Sequence, residues 1–258
     1  FREPAPIEYR MLHRRAFPES RLIHVAGPPI QDVQWLPGSN LARLLMLHVD
    51  GSLSLVDADS QLVTLHNSAA EAMCCAVSVD GGSILVGDDQ NKLTLFDGQT
   101  LHPSGFLGQL PSAATKICWP HGLQTAWVTT RDGALLEVDL QSGDIVPVLA
   151  SQMHVTAFDV DNQGTTIVAA VQSQHVLILA VDDRFDRFEM AKLNNWTVDI
   201  AWSGYAGAQH GAFVVLDDRG EATVWLMQYD QKKATVRRLQ SLPTGFSGDA
   251  ELTWSGSG

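Results

Sequence analysis

The stretch that decides the fold is Ile30–Asp57, IQDVQWLPGSNLARLLMLHVDGSLSLVD. It alternates apolar and polar residues up to Trp35, breaks at Pro37-Gly38, and resumes as the apolar run Leu44–Leu47. A turn at Asp50-Gly51 follows, and a third apolar segment closes on Val56-Asp57. Alternation at period two predicts strands, and the Pro-Gly and Asp-Gly pairs predict tight turns between them. No helical period of convincing length appears here or elsewhere in the chain.

The chain restates this pattern. A first strand ends on a large apolar residue before a turn at Trp35, Val77, Trp119, Phe158 and Trp202, which by subtraction lie 42, 42, 39 and 44 residues apart. Trp254, in ELTWSG, opens a sixth copy 52 residues beyond Trp202. A second turn keeps step at Asp50-Gly51, Gln90-Asn91, Asp132-Gly133, Ser173-Gln174 and Arg219-Gly220. Between the turns lie continuous apolar runs, Leu44–Leu47, Ile84–Val86, Ala126–Val128, Ile167–Val171 and Ala212–Leu216, as expected of strands covered on both faces.

A period near 42 with four strands per copy is the pattern of a β-propeller blade. The expected fold is all-β, with four-stranded antiparallel blades near 30–67, 71–109, 114–150, 154–194 and 197–241 and a partial blade at 250–258. The ring then has six or seven blades. In a six-blade ring, the N-terminal segment 1–29 closes the last blade with Ile7–Leu12 and Arg21–Val25 beside Glu251–Trp254, which removes two open edges. In a seven-blade ring the missing strands lie beyond Gly258 or come from another chain. The Phe1 start and the Ser-Gly-Ser-Gly end read as a piece of something longer.

Residue by residue, the repeat resembles the WD40 family. Val33-Gln34-Trp35-Leu36-Pro37-Gly38 and Ala76-Val77-Ser78-Val79-Asp80-Gly81 stand where that family has its Val-x-Phe-Ser-Pro-Asp-Gly run. Val56-Asp57, Phe96-Asp97 and Val138-Asp139 occupy its Trp-Asp position. The family's Gly-His pair is replaced throughout, by Ala26, Ser68, Leu110, Leu149 and Leu193, so its histidine-centred hydrogen-bond network cannot form. The resemblance is to a divergent member, over residues 30–258. It implies a non-catalytic platform for other proteins, within a multi-subunit complex.

Composition narrows the function classes. Hydrophobic residues make up 45% and charged residues 18%, a mix that suits much buried strand. The formal charge of -12 disfavours nonspecific contact with nucleic acid or anionic lipid. No apolar run approaches the roughly 18 residues of a membrane helix. Cys74, Cys75 and Cys118 make no disulfide framework and are expected as packed thiols in a reducing, intracellular compartment.

Sites of chemistry were sought among histidines, carboxylates and glycine-rich turns. The nine histidines never fall at His-x-His or His-x₃-His spacing and read as surface or cap residues. Asp159-Val160-Asp161-Asn162-Gln163-Gly164 approaches a calcium loop but stands where other copies have an ordinary turn. No nucleophile elbow, phosphate loop or zinc-protease motif is present, so no catalytic residue, metal ligand or cofactor is expected. Trp35, Trp119, Trp202 and Trp254 recur at the blade period and are expected to pack between blades.

Trp196 is off that register and is the candidate exposed anchor. Phe185 and Phe188 in the charged stretch Asp182–Met190, and Lys232, Lys233, Arg237 and Arg238 in the basic stretch Tyr229–Arg238, are the other candidate partner-binding residues. The functional expectation is therefore a protein–protein interaction scaffold. The alternatives are a ligand-binding or enzymatic propeller with its site at the central channel, and a nucleic-acid-associated subunit using the Arg2–Arg21 and Lys232–Arg238 patches.

Overall fold

The computed structural model describes residues 28–37, 43–57, 63–66, 71–120, 122–149, 153–161, 163–172, 175–180, 188–193, 195–203, 210–230 and 233–244. These residues form twenty strands in five four-stranded antiparallel sheets. Blade 1 is β1 (Ile30–Leu36), β2 (Arg43–His48), β3 (Leu53–Asp57) and β4 (Val63–His66). Blade 2 is β5 (Ala72–Val77), β6 (Ser83–Asp88), β7 (Lys92–Asp97) and β8 (Pro103–Gln109). Blade 3 is β9 (Ala114–Cys118), β10 (Thr125–Thr130), β11 (Leu135–Asp139) and β12 (Ile145–Pro147). Blade 4 is β13 (Val155–Val160), β14 (Thr166–Val171), β15 (His175–Ala180) and β16 (Phe188–Lys192). Blade 5 is β17 (Thr197–Trp202), β18 (His210–Asp217), β19 (Glu221–Asp230) and β20 (Lys233–Pro243).

Each sheet follows chain order from its first strand outward, and consecutive blades touch through first and second strands. The first strands therefore lie at the centre. Blades meet through separate apolar cores rather than one shared core: Leu45, Leu55, Ile84 and Phe96 join blades 1 and 2, and Leu85, Leu93, Ile117 and Val128 join blades 2 and 3. Trp127, Phe158, Ile167 and Leu177 join blades 3 and 4, and Val168, Ile178, Trp202 and Phe213 join blades 4 and 5. The second strands are apolar on both faces because each face packs against a different blade.

The strand registers correct one landmark. Val77 pairs with Ile84, Val160 with Ile167 and Trp202 with Phe213, each one residue before the turn. The turn bonds agree: Ser78, Asp161 and Ser203 each donate back across the turn, to Ser83, Thr166 and Ala212. The fourth landmark is Val160, not Phe158, and the spacings become 42, 42, 41 and 42 by subtraction. Phe158 lies two residues earlier on the same face and is equally buried, so bulk alone misplaced the copy.

Aspartates, not histidines, hold the turns. Asp88 accepts from the amides of Gln90 and Lys92, and Asp217 from those of Arg219 and Glu221. Asp97 and Asp139, at the position of the WD40 aspartate, cap the third turn through the amides of Gln99 and Thr100 and of Gln141 and Ser142. These short side chains return hydrogen bonds to the backbone two to four residues on, which locks a turn without tertiary help.

Gly51, Asn91, Gly133 and Gly220 take the positive φ that the second turn needs. In blade 4 Gln172 has positive φ as well, while Ser173 and Gln174 lie outside the described residues. The segments 1–27 and 245–258 lie outside them too, as do 181–187 and 231–232 in the charged stretches.

Candidate interaction face and channel mouth

One end of the propeller is built the same way five times. The amides of Val49, Asp89, Arg131, Gln172 and Asp218, each in a second turn, donate to the carbonyls of Pro29, Glu71, Ala113, His154 and Trp196, each just before a first strand. The backbone of this face repeats, whereas the exposed side chains it carries do not: valine, aspartate, arginine, glutamine and aspartate in turn. Val49 and Trp196, each 61% exposed, are its large apolar projections. Trp196 stands where expected, held by its own carbonyl bond to Asp218 and beside the 2.6 Å bond from Asn195 Nδ2 to Asp217.

Two residues inside that face, every first strand carries a β-bulge. The register skips Gln31, Met73, Thr115, Thr156 and Val198, at spacings of 42, 42, 41 and 42 by subtraction. A bulge adds one residue to a strand and re-aims its side chain. All five bulge residues line one cavity of about 340 Å³, the mouth of the central channel. Asp32, Gln34, Lys116, Thr129 and Asp199 add to its polar lining. Sequence reading missed this ring because the bulge residues share no chemical type; only their period marks them.

The channel walls are stitched by side chains. Gln31 and Gln34 donate to the carbonyls of Met73 and Cys75, tying blade 1 to blade 2. Cys118 Sγ donates to Asp159 Oδ1 at 3.3 Å, and Asp159 Oδ2 accepts from the Trp202 amide at 2.7 Å, tying blades 3, 4 and 5 in series. Lys116 Nζ meets Asp199 Oδ1 at 2.9 Å and so bridges blades 3 and 5, which are not neighbours in the ring. Asp32 accepts from the Val33 amide and from Gln34 Nε2, and neither is a cation.

Electrostatics follow from this geometry. Burial pushes the Asp159 carboxyl up from its ordinary value, opposed by Lys116. Burial by itself would lower the Lys116 ammonium, but Cys118, Asp199 and Asp159 outweigh it and the net shift is upward. Burial and the adjacent Asp159 lift the Cys118 thiol well above its usual range, and burial pushes Cys74 up to about 12. Neither thiol is an activated nucleophile.

Other expectations resolve plainly. Asp161 caps its own turn through the amides of Thr165 and Thr166, while Asp159 faces the channel stitching, so the two carboxylates serve different groups. His48 is buried, not a surface residue; its ring bonds Ser54 Oγ at 2.5 Å and the Pro28 carbonyl at 2.9 Å. Of the periodic tryptophans, Trp202 is buried edge-on against Phe213 and Trp119 is partly buried on the blade 2–3 core. Trp35 is 64% exposed, against the expectation of packing, and Trp254 lies outside the described residues. Trp127, off the landmark register, is buried because it is the second-strand residue that faces blade 4.

The remaining candidates do not converge. Phe185 and Lys232 lie outside the described residues. Phe188 opens β16 opposite Ile178, and Lys233 opens β20 opposite Asp230. The basic stretch therefore lies on the paired strands β19 and β20. Arg237 and Arg238 are exposed on the outermost strand, and Arg238 Nη2 pairs with Glu221 at 3.0 Å and also bonds Ser241. Three strand spacings, about 14 Å, separate that strand from β17, which Trp196 precedes.

No protein-family model and no curated protein sequence matches this chain. Solved structures do. The β-propeller domain of Cps50 (Swd1) from Myceliophteria thermophila superposes with a TM-score of 0.66 at 12% identity, over 84% of this chain and 73% of that one. The structure of U3-55K gives a TM-score of 0.59 at 16% identity, over 82% and 69%. With its five in-register blades and aspartate-locked turns, the chain has a β-propeller fold.

Proposed function

We propose that this protein is a non-catalytic interaction scaffold that presents the face around its channel mouth to other proteins. The observation that carries this reading is the fivefold repeat of one backbone bond on that face, whose copies display apolar, acidic, basic and amide side chains in a mixed set. Rigid turns lower the entropy lost on docking, and varied side chains supply specificity. Trp196 and Val49 are its apolar anchors, because large exposed side chains on a fixed backbone gain most from desolvation. The reading agrees with an acidic surface that disfavours nucleic acid, and it places the protein in a multi-subunit assembly inside the cell.

The test is affinity capture from the cells that make the protein, comparing wild type with Trp196→Ala and with Val49→Asp. The scaffold reading expects a fixed set of stoichiometric proteins that Trp196→Ala depletes at least tenfold, with Arg237→Ala as an unaffected control. Recovery of the same proteins with all variants would move the interface elsewhere.

A second reading has one observation behind it. The channel mouth gathers Asp32, Lys116, Asp199, Thr115 and Thr156 around about 340 Å³, a volume that suits a small ligand. A thermal-shift screen of small cationic and zwitterionic molecules tests it; a hit abolished by Asp32→Asn would favour a ligand-binding propeller.

A further inference from the structure

We propose that the outer edge of blade 5 is a docking site for an extended, acidic segment of a partner protein, which adds to β20 as a further strand. The other outermost strands are poor edges. β4, β12 and β16 have four, three and five residues, and β8 begins on Pro103 and is interrupted by Gly105 and Gly108. Short strands, proline and glycine are ordinary means of keeping a sheet edge from pairing. β20 runs for 11 residues, with proline only at its last position, Pro243. Among the described residues it is the last strand of its sheet, so its outward amides and carbonyls form a template for another strand.

The edge is also exposed and bounded. Thr235, Arg237, Arg238, Gln240 and Leu242 are exposed along it, and Leu239 is 46% exposed. Leu239 is the bulge residue of the β19–β20 pair, since Trp225 stands opposite Arg238 and Val224 opposite Gln240. A bulge interrupts a ladder and re-aims its side chain. The regular edge is therefore Lys233–Arg238, six residues by numbering and a common strand length, with Leu239 as an apolar contact at its end.

Charge selects the occupant. The strand KATVRRLQSLP carries Lys233, Arg237 and Arg238 and no carboxylate, in a chain of formal charge -12. Arg238 stands opposite Trp225 and pairs with Glu221, whereas Arg237 stands opposite the apolar Leu226, on the other face of the sheet. A carboxylate on an added strand meets Arg237 as a cross-strand pair of opposite charge. A second copy of β20 would set cations against cations, so the occupant is a different, acidic chain. The site lies on the rim of blade 5, and its partner is separate from those of the channel-mouth face.

The probe is a fluorescein-labelled octapeptide of alternating valine and glutamate, titrated onto the full chain at low salt. Binding is expected, with the amides of 234–242 exchanging about tenfold more slowly when the peptide is present. Lysine in place of glutamate in the peptide, or Arg237→Glu in the protein, should weaken binding about tenfold. N-methylation of alternate peptide amides should weaken it as much, because it removes the ladder and keeps the charge. No binding at about 1 mM peptide overturns the proposal. So does binding that N-methylation leaves unchanged, or that Trp196→Ala removes while Arg237→Glu does not. Protection of 234–242 that rises with protein concentration in the absence of peptide also overturns it, since the occupant would then be a second copy.

Discussion

Trp202 and Trp35 hold the same place in two copies of one repeat and meet opposite fates. Both stand at the fourth residue after the bulge of a first strand, and both sit on the face turned away from the following blade. Trp202 is 6% exposed, wedged with Phe213 against Val168 and Ile178 of blade 4. Trp35 is 64% exposed at the leading face of blade 1. The difference teaches that a repeat position prescribes an orientation, not a burial. Burial is supplied by the neighbour, and stability in a propeller is assembled interface by interface.

The sharpest way to break this comparison is to truncate both tryptophans. Trp202→Ala empties a buried site between two blades and should cost about 3–5 kcal/mol, lowering Tm by roughly 10 °C in a chain of this size. A loss under about 1 kcal/mol in chemical denaturation would show that the blade 4–5 interface is not where the fold is held.

Next in size is the cross-channel tie. Lys116→Met leaves the buried Asp199 carboxylate without its cation and should cost about 2–3 kcal/mol, below the usual figure for a fully buried pair because Lys116 is partly exposed. Adding Asp199→Leu should recover most of the loss. A double variant no better than the single one would mean that the pair acts through packing and not charge.

Gly81 probes the first interface directly. Its φ is +65°, and a Cβ there would stand 2.1 Å from the Pro37 carbonyl oxygen of blade 1. Gly81→Ala must move backbone and should cost about 2 kcal/mol. Gly105, whose added Cβ meets nothing within 4 Å, is the matched control, and its alanine variant should melt with the wild type.

Trp35→Ala should be the mildest, under about 1 kcal/mol, because little of the side chain leaves water on folding. A cost near that of Trp202→Ala would show that the leading face of blade 1 is packed in solution.

Acid acts on the turns of blades 1 to 3. Ser52, Ser78, Thr100 and the amides of Ser142 and Gln141 hold the carboxyls of Asp50, Asp80, Asp97 and Asp139 below their ordinary value of 3.8. A depressed folded value contributes stability that is complete above the unfolded value and is lost as pH falls through the folded one. Thermal melts should therefore be flat in this contribution at neutral pH and drop below about pH 4. A Tm that holds steady down to pH 2 would contradict the role of these turn aspartates.

Much of this could be read without coordinates. Alternation, Asp-Gly turns and a period near 42 are local properties, and turns locked by Asp88 or Asp217 need only neighbouring amides, so strands and blades were legible from residue order. What tertiary structure alone decided was the identity of neighbours. It put Val160 rather than Phe158 at the fourth landmark, buried His48 and Trp127, left Trp35 in water, and aligned Gln31, Met73, Thr115, Thr156 and Val198 into one ring. Those five residues share no chemistry, and Lys116 and Asp199 stand 83 positions apart. Contacts between blades depend on how five sheets stack around an axis, and residue order carries the strand's preferences but not the partner that each face will meet.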